Sequence, residues 1–403
     1  MIPEQLATLV VKKVKNRVNH IIRNSTVIDG DQEKDDGLAI FERSELKLGN
    51  LIGSGGFSDV YEISDFSSSE ESKSEQDWTS QQQTVRKSFE GDVLDESGAS
   101  KYVVKRLKIK MMQNEKKFFM AASDLALEAQ YLSSLDHKHI LKIRGWAAGG
   151  LEAFSNGEYS SYFLVLDRLQ DTLDNRLRMW REETEQEKKI KSLHSKSDLL
   201  SRAKVAFQVA SAIEYLHSKR IIFRDLKPNN VGFDSFGNVK LFDFGLAREL
   251  PESGKKNEIY CMSGKVGTLR YMAPEVARRE AYNQKADVYS WSILFWTCLN
   301  LSLAYEKMLK KDHHRDVCEL GERPEVQSTW PKSVCNLLMK SWAHNPRNRL
   351  SMKEVLSHVK RIERDLSPKS ESISVTAKSR FRSLFMLPSF TQPKSNTLAS
   401  NAA

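Results

Sequence analysis

Residues 223 to 230 read FRDLKPNN and bring Phe223, Arg224, Asp225, Lys227, Asn229 and Asn230 into eight positions. An aspartate, a lysine two residues on and an asparagine five on are groups that can hold a hydroxyl, a phosphate oxygen and a metal ion in one small space. The stretch therefore asks the rest of the chain for a phosphate.

Upstream, LIGSGGFSDVYEI (51–63) sets Gly53, Gly55 and Gly56 between two alternating apolar runs, which reads as a strand, a tight turn and a return strand. Such a hairpin can lay its backbone over a polyphosphate without interference from a Cβ, although glycines in a hairpin usually mark only a turn. The run lacks the Gly-Lys-Ser or Gly-Lys-Thr ending of a phosphate loop and the following helix of a dinucleotide fold, so a hairpin lid is the nucleotide design that remains. Next, KYVVKRL (101–107) reads as a strand with Lys105 at its centre. A lysine there faces solvent unless it meets a buried anion. In DLALEAQYLSSL (124–135), Leu125, Leu132 and Leu135 share a helical face near Glu128. Glu128 is either an exposed helix glutamate or the group that orients Lys105.

Bulk properties frame these strings. At 403 residues and 40% hydrophobic content the chain can build two or three compact units, and it reads as soluble and largely globular. It has no apolar run of the roughly 18 residues a membrane span requires. The 4 cysteines, Cys261, Cys298, Cys318 and Cys335, show neither metal-ligand spacing nor a disulfide framework, which suits a reducing compartment. A cytoplasmic location is expected, with nuclear or membrane association as alternatives. The formal charge of +9 lies largely in the tails, so no nucleic-acid partner is expected.

Composition divides the chain. Within residues 1–43, Leu6, Val10, Val14, Val18 and Ile22 recur every fourth position among Lys12, Lys13, Lys15, Arg17 and Arg23. This is a basic amphipathic helix, which packs on the folded domain or docks, through residues 4–23, on a membrane surface or a partner; a targeting segment is a further reading. Residues 44–63 and 101–168 are strand-rich with one helix. Between them, about 64–100, SDFSSSEESKSEQDWTSQQQTVRKSFEGDVLDESGAS is poor in apolar residues and reads as a disordered insertion. From about 172 to 362 the periodicity is helical, with REETEQEKKIKS (181–192) as a solvated helix extension, and residues 363–403 form a Ser/Lys-rich tail expected to be disordered.

Taken in order, the glycine hairpin, VVK, the helix glutamate, FRDLKPNN, LFDFGLA, RYMAPE, ADVYSWSI and NPRNR resemble the motifs of the eukaryotic protein kinases over residues 45 to 362. GTLRYMAPE and DLKPNN resemble the Ser/Thr kinases, and the tryptophans and GERP of the C-terminal half resemble the tyrosine-kinase-like branch. The resemblance implies an α+β, bilobal fold: a small antiparallel-sheet N-lobe with one helix to about 168, and a larger, mostly helical C-lobe from about 170. It implies ATP with two Mg²⁺ ions, Mn²⁺ being the alternative metal. Asp225 would accept or orient the substrate hydroxyl proton, Lys227 would neutralise the transferred phosphoryl group, and Thr268 would contact both. Asp243 and Asn230 would hold the metals, and Lys105, held by Glu128, would anchor the α- and β-phosphates. Ile52, Gly53, Gly55, Gly56 and Val60 would cover the nucleotide. Val103 and Gly232 would sandwich the adenine, Leu166 would guard the space behind it, and Asp167, Arg168 and Leu169 would form the hinge along its edge.

The chain departs from the family pattern at four positions. Ser58 replaces the third loop glycine. Phe223 replaces a histidine and is expected in an apolar column with Leu132, Ile143 and Phe244. Val103 is larger than the usual alanine, and Gly232 smaller than the usual aliphatic; the two are expected to compensate, with the adenine shifted or with Phe233 or Val231 adjusting. Arg224 would receive a phosphate on the activation segment at Ser253, Tyr260 or Ser263, placed by an upstream kinase or by autophosphorylation. Ser383 in the tail is a further acceptor. Glu275 and Arg349 would form a buried ion pair, and Asp287 would brace the catalytic loop. The function implied is phosphoryl transfer to Ser/Thr of protein substrates. The alternative is a pseudokinase scaffold, and a small-molecule phosphotransferase stands third.

Overall fold

The computed structural model describes residues 3–28, 37–66, 79–89, 91–188, 196–252 and 258–366. The chain begins with α1 (Glu4–Arg23), whose valine stripe, Val10, Val14 and Val18, is buried. There follow β1 (Ala39–Phe41), β2 (Leu46–Ser54), β3 (Ser58–Phe66), α2 (Ser80–Lys87), β4 (Tyr102–Leu107), α3 (Glu115–Ser134), β5 (Ile143–Ala147) and β6 (Phe163–Asp167). These strands form one sheet in the order β1-β5-β6-β4-β3-β2. The inner strands β4 and β6 are buried along nearly their whole length, so that even Lys105 and Arg106 of YVVKRL lie inside.

Three features go beyond the expected N-lobe. Strand β1 joins the sheet edge in parallel with β5, pairing Ala39 with Gly145 and Phe41 with Ala147, so the sheet is mixed. The lobe carries α1 and α2 as well as α3, not one helix. Residues 64–100 are not disordered throughout: 64–66 complete β3, and α2 is capped by the Thr79 hydroxyl, which accepts from the Gln82 amide. Gln82 donates to the Leu38 carbonyl (2.9 Å) and accepts from the Ile40 N–H (3.0 Å), stitching α2 to β1. Phe89 then closes an aromatic cluster with Phe41, Phe66 and Tyr102, ring centroids 5.1–5.4 Å away. The composition averaged over the insertion hid these few anchors. Residues 67–78 lie outside the described residues, as does the tail reading from 367 with Ser383.

The basic helix α1 packs its apolar face on α3 and on the turn at 150–156. Lys13 pairs with Glu115 at the start of α3 (2.6 Å), and the Arg17 guanidinium lies 5.5 Å from the Phe119 ring. Of the readings open in the sequence, packing onto the folded domain uses the apolar stripe.

The second half contains β7 (Asp171–Thr172), α4 (Leu173–Lys188), α5 (Lys196–Ser218), β8 (Ile221–Ile222), β9 (Val231–Phe233), β10 (Val239–Leu241), β11 (Arg248–Glu249), α6 (Pro274–Ala277), α7 (Lys285–Asn300), α8 (Lys310–His313), α9 (Lys332–Ser341) and α10 (Met352–Leu366). Helix α7 is buried all round from Ala286 to Leu299, which marks it as the core of this lobe. Trp291 donates to the Ala206 carbonyl of α5 at 2.8 Å. The small sheets β10-β9-β7 and β11-β8 sit on these helices, and FRDLKPNN is the loop between β8 and β9. No described helix is long and apolar enough to cross a membrane.

Candidate active site

The loop after β8 is held by its backbone. Asp287 of α7 accepts from the Phe223 N–H (2.8 Å), the Arg224 N–H (2.9 Å) and His217 Nε2 (3.0 Å), so one buried carboxylate anchors the turn into Asp225. The Asp225 carboxylate collects the predicted partners. Lys227 Nζ lies 2.6 Å from Oδ2, and Asn230 Nδ2 donates to Oδ2 (3.2 Å) and to the Asp225 carbonyl (2.9 Å). Thr268 donates through both its N–H and its hydroxyl to Oδ1, each at 3.0 Å. Gly267 makes that approach possible: its φ is +95°, and a Cβ there would lie 2.4 Å from the Arg224 carbonyl oxygen. Asp225 is thus fixed by four donors from three residues.

On the opposite wall, β4 and α3 bring Lys105 Nζ to 2.5 Å from Glu128 Oε2 and 3.2 Å from Asp243 Oδ1. Burial alone would pull Lys105 down, but the Asp243 and Glu128 carboxylates outweigh it and hold the ammonium above the usual lysine range. Lys105 in turn holds Asp243 below the usual carboxylate range, and burial raises Glu128 against the pull of the same lysine. The lysine therefore stays charged, half-exposed Asp243 stays an anion, and Lys105 is no longer a solvent-facing strand residue. Phe244 is fully buried and meets Phe223 edge-on at 5.1 Å, with Leu132 and Ile143 in the same core, so phenylalanine serves the expected apolar column.

The glycine hairpin closes with the Gly55 N–H donating to the Ser58 carbonyl at 2.9 Å, and Gly53 sits opposite Val60. Sequence reasoning missed a latch on it. Lys108 donates to Ser54 Oγ (2.5 Å) and lies 3.4 Å from Asp59 Oδ1, tying both hairpin strands to the end of β4. Phe57 and Ile52 are exposed at the hairpin, and Gly56 faces open space.

The adenine end differs from expectation. A Cβ on Gly232 would lie 2.5 Å from Leu169 Cδ1 and 3.2 Å from the Asp171 carbonyl oxygen. The volume freed by glycine is filled by the hinge leucine, so neither Phe233 nor Val231, both buried in β9, needs to adjust. Val103 and Leu166 pair across β4 and β6 and are both buried, as placed. In the hinge, Arg144 clamps the Asp167 carboxylate bidentately (2.6 and 3.0 Å), and the Arg168 N–H is taken by the Lys101 carbonyl at 2.8 Å, so Arg168 braces the hinge to β4.

Glu275 and Arg349 form the expected pair through two bonds of 2.7 and 2.8 Å. Arg224 donates to Ser263 Oγ (3.0 Å) and the Tyr282 hydroxyl (3.3 Å). Ser263 is thus on this cation, whereas the Tyr260 hydroxyl bonds the Pro251 carbonyl at 3.3 Å; Ser253 lies outside the described residues.

Residues 91–359 match the family described as Protein kinase domain, and the chain belongs to that family. It is 33% identical over 168 residues to serine/threonine-protein kinase STY46 of Arabidopsis thaliana, which covers 42% of this chain and 28% of that protein. It is 36% identical over 172 residues to ribosomal protein S6 kinase alpha-6 of Mus musculus, covering 41% and 21%. With a putative mitogen-activated protein kinase kinase kinase 7-like protein of Drosophila melanogaster it shares 28% over 243 residues, covering 57% and 53%. The chain thus spans only part of the length of these relatives.

Proposed function

We propose that this chain is a protein serine/threonine kinase that transfers the γ-phosphate of ATP to Ser/Thr hydroxyls of protein substrates. The observation that carries the reading is the Asp225 carboxylate with Lys227, Asn230 and Thr268 all bonded to it. A scaffold relieved of chemistry would have no need for that convergence.

The residues fit the cofactor. Asp243 offers a half-exposed carboxylate, and Asn230, whose amide nitrogen makes both bonds to Asp225, turns its carbonyl oxygen away from them. Hard oxygen donors of this kind suit Mg²⁺, and Asp243 and Asn230 would hold two ions. When bound, the metal neutralises charge on the phosphate oxygens. The chain's own residues do the rest. Lys105 presents a permanent cation, Asp225 orients an incoming hydroxyl and receives its proton, Lys227 sits beside it to offset charge on the moving phosphoryl group, and Thr268 fixes the Asp225 rotamer. Ser263 on Arg224 supports regulation by phosphorylation there, where a phosphate would replace a neutral hydroxyl beside a guanidinium.

The test is transfer of labelled γ-phosphate from Mg²⁺·ATP to the chain and to a generic basic protein. Label on Ser or Thr, reduced roughly 10²-fold or more by Asp243→Asn, is the expected outcome. ATP binding with no transfer, also after Ser263→Asp, would instead establish the scaffold.

A further inference from the structure

The segment that follows α1 reaches β11, the strand that follows the Asp243 segment, by a route the sequence did not suggest. Ser25 Oγ donates to Glu249 Oε2 at 2.5 Å. The Thr26 N–H reaches both Glu249 oxygens (3.0 and 3.2 Å), and the Thr26 hydroxyl donates to Oε1 at 2.6 Å. Ser25 Oγ also accepts from the Ile28 N–H (2.8 Å) and the Val27 N–H (3.1 Å), which closes a turn and buries Ile28 in the core. One carboxylate is therefore gripped by two adjacent residues 223 and 224 positions upstream of it.

One end of this grip lies beside the catalytic loop and the other follows a helix packed on α3. Glu249 is in β11, which pairs Glu249 with Ile221 and Arg248 with Ile222; the chain runs from Ile222 directly into Phe223, Arg224 and Asp225. Six residues before Glu249 stands Asp243. On the other side, α1 lies along α3, the helix that carries Glu128 to Lys105. A charge-assisted bond from an element already packed on α3 ties the start of the activation segment to the same support.

Resting on the kinase reading above, we infer that Thr26 and Glu249 are positioning residues, and that α1 with residues 25–28 forms a built-in clamp. It holds Glu128 on Lys105 and Asp243 in the cleft at the same time. Release of the grip leaves the fold intact and lowers the population in which both carboxylates are in place. Because Lys105 and Asp243 also face the nucleotide, the clamp acts on kcat and on KM for ATP together.

The experiment uses the full chain with Thr26→Val, Glu249→Ala, the double variant and Thr26→Ser. It reads kcat and KM for ATP, together with amide hydrogen exchange over 115–134 and 243–250. Expected are a roughly tenfold lower kcat in Thr26→Val and Glu249→Ala, the scale of one hydrogen bond to a charged group, with KM for ATP raised alongside it. The double variant should be no worse than Glu249→Ala, Thr26→Ser should behave as wild type, and exchange should quicken in both segments. Unchanged exchange over 115–134, or additive losses in the double variant, would overturn the clamp. If wild type transfers no phosphate, the kinase reading fails, and exchange still decides the clamp.

Discussion

Two buried ion pairs, Lys105–Glu128 in the N-lobe and Arg349–Glu275 in the C-lobe, are built to opposite specifications. In the C-lobe every guanidinium nitrogen of Arg349 is used: it binds both Glu275 oxygens and also donates to the carbonyls of Ala343 (2.8 Å), Lys285 (3.1 Å) and His344 (3.4 Å). In the N-lobe, Lys105 divides itself between Glu128 and Asp243, and Glu128 Oε1, lying toward the Asp243 backbone, is buried without a hydrogen bond. A saturated pair has nothing left to offer a ligand and serves as a staple. The Lys105 ammonium, with two of its three donors used, keeps capacity for a phosphate, and its geometry depends on two elements, α3 and the Asp243 segment, staying in place.

The largest effect should come from disturbing the staple. Arg349→Lys keeps the charge but loses the planar fork and its carbonyl bonds, and unfolding by denaturant should show a loss of about 3 kcal/mol. A loss below 1 kcal/mol would mean that saturation is not what the C-lobe relies on. The cleft floor comes next. Gly232→Leu must displace Leu169, so a cost of about 1–3 kcal/mol and weaker ATP binding are expected; tighter binding would show that the hinge leucine leaves the floor open.

The smallest effect lies on α3, one turn before Glu128. The Asp124 carboxylate makes no hydrogen bond among the described residues; burial raises its carboxyl to about 6, against the pull of Arg17 and Arg248. Because the folded protein holds this proton more tightly than the unfolded chain, Asp124 subtracts stability as pH rises from about 4 through 6. Asp124→Asn should therefore be more stable than wild type by about 1–2 kcal/mol at pH 7.5 and equal to it near pH 4. A variant less stable at pH 7.5 would show that Arg17 and Arg248 satisfy the charge after all.

The polar centre was legible because its parts are short and local. Asp225, Lys227 and Asn230 lie within six residues, and their convergence needs only one loop. Lys105 and Glu128 became a pair by company with that loop, and the structure joined them. What escaped reading was decided by contacts across long separations. Nothing in Thr26 or Glu249 announces a partner more than two hundred positions away. Strand β1 is three residues long and pairs with β5 across the whole of β2–β4. In the insertion, Phe66 and Phe89 were visible among polar neighbours, yet only their meeting with Phe41 and Tyr102 shows them to be anchors. Leu169 was assigned to the hinge by its backbone, and its side chain found the space above Gly232.

The contrast between the two pairs is tested most directly by the same substitution in each, Glu128→Gln and Glu275→Gln, with unfolding free energy and phosphate-transfer rate measured together. The account predicts that Glu128→Gln keeps stability within about 1 kcal/mol, because Lys105 retains Asp243, while the rate falls roughly 10²-fold through misplacement of the lysine. It predicts that Glu275→Gln costs about 3–5 kcal/mol, with the surviving folded fraction still active. Equal losses of stability in the two variants, or a Glu128→Gln protein with wild-type rate, would contradict it.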